Sequence, residues 1–68
     1  MKLSARNQFA GKVIEIKEGA VNAIVKIEIA KDIVISSTIS MDAVKELGLT
    51  VGSDATAVIK ATSVMLMA

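Results

Sequence analysis

Few side chains in this 68-residue sequence could do chemistry, and those that could are hydrogen-bond donors. The densest group is Ser4-Ala5-Arg6-Asn7-Gln8, which holds the chain's only arginine and precedes the first strand-like segment. Near the other end, Lys60 stands in the alternating stretch Val58-Ile59-Lys60-Ala61-Thr62. Taken singly, composition favours a solvated N-terminal arm for the first group and a water-facing strand position for Lys60. The first group is rich in hydrogen-bond donors, but neither group by itself points to a ligand.

Other chemistries lack their residues. General acid–base catalysis draws on His or tuned carboxylates, and nucleophilic catalysis on Cys, or on Ser or Lys with an activating partner. His and Cys are absent. Asp42 and Glu46 lie four apart on a predicted helix, but their apolar neighbours favour a solvated helix face over a catalytic pair. No enzymatic step is expected. Tight zinc-type sites also draw on His and Cys, so no direct protein–metal ligand set is expected either. The glycines Gly11, Gly19, Gly48 and Gly52 are too dispersed for a phosphate-cradling loop. Barrels that grip single-stranded nucleic acid need aromatic stacking platforms in a basic groove, and one ring, Phe9, with a net charge of +1 does not provide them.

The elements that must position these donors follow from hydrophobic periodicity. In residues 21–29, Val21, Ala23, Val25, Ile27 and Ile29 alternate with polar positions, broken only by Ile24, which is the period of a half-buried strand. Residues 9–18 form the preceding strand, and Lys17-Glu18-Gly19-Ala20 turns one into the other as a hairpin. Gly11 within that first strand marks a sharp bend. Ala30-Lys31-Asp32 makes the next turn, and Ile33, Ile35, Ser37 and Ile39 alternate through a third strand. Ser40 then caps a short helix with an apolar stripe of Met41, Val44 and Leu47, which Gly48 ends. Residues 49–54 read as a loop, 55–63 as a fourth strand, and Val64-Met65-Leu66-Met67 as a segment that pairs again or packs on a neighbour. Three strands, a helix and one or two strands is the layout of an all-β, OB-type small barrel, with one short helix between the third and fourth strands. The fold alone names no ligand.

Length bounds the rest. Residues 1–68 make a single domain that would bury only about 60% of its unfolded surface. Without Cys or His there is no disulfide or structural zinc to add stability, so association into an oligomer is expected. A hydrophobic content of 53%, almost all aliphatic, agrees with apolar surface on more than one face. The opening Met1-Lys2-Leu3-Ser4 runs into polar residues instead of a signal-peptide core, and no stretch stays apolar for the ~20 residues of a membrane span. A cytoplasmic location without membrane contact is the expectation.

End to end the chain resembles the Mop, or molbindin, family. Ser4-Ala5-Arg6-Asn7-Gln8 with Gly11, Ile39-Ser40-Met41-Asp42-Ala43-Val44 with Glu46-Leu47-Gly48-Leu49, and Thr56-Ala57-Val58-Ile59-Lys60-Ala61 carry the resemblance. It implies molybdate or tungstate as bound ligand, a homo-hexamer built as a trimer of dimers, oxyanions held where subunits meet, and a role in storage or homeostasis. It also implies a primary site made by the Ser4 hydroxyl, the Ala5 amide, the Arg6 and Lys60 side chains and the Ala61 amide. At Ala43 many relatives have a Ser whose hydroxyl touches the anion, so that donor is missing here or replaced by the Ala43 amide or a neighbour. A second class of site on a symmetry axis is implied as well, with the hydroxyls of Ser36, Ser37 and Thr38 as contributors. The alternative from another class is a cold-shock-like domain binding single-stranded nucleic acid.

Overall fold

The computed structural model describes residues 4–68; Met1-Lys2-Leu3, part of the stretch read for a leader, lies outside the described residues. The elements are strands β1 (Asn7–Glu18), β2 (Asn22–Ala30) and β3 (Ile33–Ser40), helix α1 (Met41–Leu47), strand β4 (Asp54–Ile59) and a 3-10 turn at Ala61–Ser63. The strands form one antiparallel sheet in the order β3-β2-β1-β4. The long β1 serves two partners, pairing with β4 through residues 7–12 and with β2 through residues 12–18.

Alternation in the sequence becomes burial in the sheet. Ala23, Val25 and Ile27 of β2 are buried with Val13 of β1, Ala57 of β4 and Val44 of α1, while Ile24, the residue out of pattern, lies on the exposed side. Ile16, Ile29, Ile35, Ile39, Met41, Leu49 and Ala55 pack around this small core. The sheet curls over the core and α1 packs on β2 and β3. The expected barrel-type sheet with a helix between β3 and β4 is therefore observed as a half-barrel, with β3 and β4 as its two edges.

The helix ends are set locally. The Ser40 hydroxyl accepts from the Ala43 amide at 3.0 Å, which satisfies one of the first-turn donors that have no partner inside the helix. Gly48 takes the left-handed conformation at φ 64°, its amide donates to Lys45 O, and the Leu49 amide donates to Val44 O. That pair of bonds is a Schellman stop, and Leu49 folds back onto the core as the motif requires.

Two expectations need correction and one an addition. The register of β1 also breaks at Ile14, passing from Val13↔Ile27 to Glu15↔Lys26; such a bulge raises local twist and helps curl the sheet. Gly11 is needed for another reason, because a Cβ there would collide with the Glu28 carbonyl on β2. The stripe on α1 holds for Met41 and Val44 but not for Leu47, which is exposed; six residues on, it has rotated roughly 120° from Met41. Finally, β4 stops at Ile59 instead of running to residue 63. Ile59 faces Asn7, the first residue of β1, so residues beyond it have no ladder to join. Residues 64–67 form no strand.

Candidate functional site

The site is assembled at one end of the β1–β4 pair. Because these strands are antiparallel and Asn7 faces Ile59, the residues before β1 and those after β4 emerge at the same end of the sheet. Ser4, Ala5, Arg6, Lys60, Ala61 and Thr62 accordingly line one open hollow of about 180 Å³. Five of the six residues that the sequence pointed to thus come together.

Local bonds hold both rims. The Asn7 side-chain amide donates to the Ile59 carbonyl at 3.2 Å, and the Gln8 side-chain amide donates to the Ala5 carbonyl at 3.2 Å. On the other side, the 3-10 turn is closed by the Ser63 amide on Lys60 O at 2.9 Å and the Val64 amide on Ala61 O at 3.2 Å. The turn thus uses the amides of Ser63 and Val64, leaving the Ala61 amide outside it.

The electrostatics of the hollow are one-sided. It carries the cations Arg6 and Lys60 and the hydroxyls of Ser4 and Thr62, and none of its lining residues is a carboxylate. Among the described residues the ion pairs are Lys12–Asp54 at 2.6 Å and Lys26–Glu15 at 3.8 Å, so neither site cation is engaged in one. Two cations with no counter-charge between them favour a bound anion, ideally one of charge −2 that accepts hydrogen bonds from all sides. Among the described residues no cluster of three or more His, Cys, Asp or Glu side chains forms.

Ala43 is the sixth candidate, and within one chain it does not reach the hollow. It is half-buried on α1 with its amide donating to Ser40, so that amide is already committed. The hydroxyls of Ser36, Ser37 and Thr38 do not converge either, since strand alternation puts Ser37 on the opposite face from the other two. Of the three, Thr38 borders a second hollow, with Lys17, Glu18, Gly19, Asn22, Ala23 and Ile24, whose lining, unlike that of the first, includes an acidic residue. Thr62 is the lining residue that sequence reasoning missed. It lies within residues 55–63, read as a strand, where nothing set it apart.

No helix of the described residues is long and apolar enough to cross a membrane. The TOBE domain family matches this chain over residues 3–66. A probable molybdenum-pterin-binding protein of Haemophilus influenzae is 62% identical over 66 residues, which is 97% of this chain and 96% of that protein. A molybdate-binding protein from Sporomusa ovata has a similar structure, with a TM-score of 0.93 at 34% identity and 100% of both chains covered. The cytoplasmic molybdate-binding protein ModG, solved with molybdate bound, gives a TM-score of 0.86 at 48% identity, covering 90% of this chain and 43% of ModG.

Proposed function

Because the chain belongs to the TOBE domain family and, within it, to the small molybdenum-pterin-binding (Mop) proteins, we propose that it binds molybdate, and tungstate in the same way, as a tetrahedral dianion in the hollow between residues 4–6 and 60–62. The observation that carries this is the lining: two cations, two hydroxyls and no carboxylate, on segments from opposite ends of the chain. Molybdate at neutral pH is fully deprotonated, so every one of its oxygens accepts, and a site rich in donors and free of carboxylates suits it. Phosphate keeps at least one proton near pH 7, and the lining offers that proton no carboxylate, only hydroxyl oxygens whose donors the anion itself would use. Sulfate has the charge and shape of molybdate but shorter bonds, so it is rejected only by a site too wide for it.

Molybdenum held together with a pterin, as the names of the relatives have it, would need more room. The hollow, at about 180 Å³, falls below the roughly 300–1,000 Å³ of pockets that enclose drug-sized ligands. Phe9, the only ring, does not line it, which further favours the bare oxyanion. The names of the relatives concern molybdenum and give the single-stranded nucleic-acid alternative no support.

The role we assign is storage or homeostasis in the cytoplasm, with binding as the whole activity and no chemical step. The site is completed in a homo-hexamer, a trimer of dimers, in which a neighbouring copy covers the open mouth of the hollow. A crystal soaked in tungstate tests the assignment. A strong anomalous peak is expected between the Arg6 guanidinium and the Lys60 ammonium, and a map with no peak there would remove the hollow from consideration.

A further inference from the structure

We propose that Asn7 is a positioning residue: its side-chain amide ties the N-terminal half of the oxyanion site to the C-terminal half. The proposal rests on the hollow being the molybdate site. The two halves belong to different ends of the chain, and among the described residues the regular structure that relates them is the β1–β4 ladder, which begins at Asn7↔Ile59. A terminal pair of a ladder is where fraying starts, and every residue of the N-terminal rim lies beyond it. Asn7 lies within that pair, directly next to Arg6, and its side chain donates at 3.2 Å to the carbonyl of Ile59, the residue directly before Lys60. One side chain thus bridges the residues adjoining the two cations. Asn7 is half-buried, which shields the bond from competing water.

The same geometry gives the second half of the Ser4-Ala5-Arg6-Asn7-Gln8 run a purpose. Gln8 donates to the Ala5 carbonyl at 3.2 Å, but that bond is exposed and lies within one rim, so it shapes the rim without setting its distance from Lys60. Among the described residues, the Asn7 bond is the side-chain hydrogen bond that crosses between the halves. A dianion needs both cations at hydrogen-bonding distance at once, and small misplacement of one rim is enough to lose that.

The experiment measures molybdate affinity by calorimetry in the wild-type protein, Asn7→Ala, Asn7→Val, Arg6→Ala and the double variant Asn7→Ala/Arg6→Ala, with thermal unfolding of each ligand-free protein. Val suits a strand and removes the donor, so it keeps the test open should Asn7→Ala fold poorly. Both single Asn7 variants are expected to bind about threefold to tenfold more weakly at a temperature where they are fully folded, the range of one net hydrogen bond. In the double variant the Asn7 contribution should shrink, because the rim no longer carries the group that needed placing. Asp54→Ala removes an exposed ion pair with Lys12 at the far end of the same ladder, leaves the backbone pairing in place and should leave affinity unchanged. Wild-type affinity in a folded Asn7→Val protein, or full additivity with Arg6→Ala, would overturn the proposal. Absence of molybdate binding by the wild-type protein would instead overturn the reading on which it rests.

Discussion

Arg6 and Lys60 come from opposite ends of the chain, and each supplies half the charge that a dianion needs. In the proposed assembly, where a neighbouring copy would close the hollow, losing either cation would leave the anion with net negative charge out of reach of water, a state that costs several kcal/mol. Arg6→Ala and Lys60→Ala are each expected to weaken molybdate binding by about 2–5 kcal/mol, as read by calorimetry; wild-type affinity in either variant would take that residue out of the site. At this scale the site was legible through the resemblance rather than from residue types alone. Ser4, Ala5, Arg6, Lys60 and Ala61, the set implied by the resemblance, line one hollow, although by composition alone the first group read as a solvated arm and Lys60 as facing water. Thr62 was not legible, since a threonine after a predicted strand residue looks like more strand. Ala43 could not be placed beside the others within one chain, because it lies on α1 and does not line the hollow.

The elements that carry these residues were legible wherever a local signal set them. The two-residue period of β2, the Ser40 cap and the Gly48 stop all appear as read. What escaped was non-local: β4 ends where its partner begins, and the bulge at Ile14 answers to pairing with β2, which no single-strand pattern reveals. The two glycines that matter most differ in the same way. At Gly48 the φ of 64° is the whole requirement and the space around it is open, so Gly48→Ala should cost about 1 kcal/mol by thermal unfolding. At Gly11 the obstacle is the Glu28 carbonyl of a neighbouring strand, and Gly11→Ala must push β1 and β2 apart. That change should cost several times more and lower oxyanion affinity too, because the strand it displaces positions Arg6; equal losses for the two variants would contradict the distinction.

For the molecule as a whole, the number that decides is the size of the core. Six hydrophobic residues are buried in the described chain, whereas Val21, Leu47 and Val51 stay well exposed, and Met65, Leu66 and Met67 are 92%, 93% and 100% accessible. A single chain with so small a core and so much uncovered aliphatic surface is marginal, and copies packing on one another would relieve both deficits at once. Leu66→Lys should therefore shift the assembly toward smaller species in analytical ultracentrifugation, and an unchanged distribution would show that the C-terminal segment lies outside the contacts. Composition made this need legible, but the partner surfaces are a property of several chains, and one chain's pattern does not specify them. Native mass spectrometry, with and without added molybdate, reads the assembly and its cargo together. A hexamer that gains mass in steps of one oxyanion is the expected result, and a monomer that takes up none would contradict it.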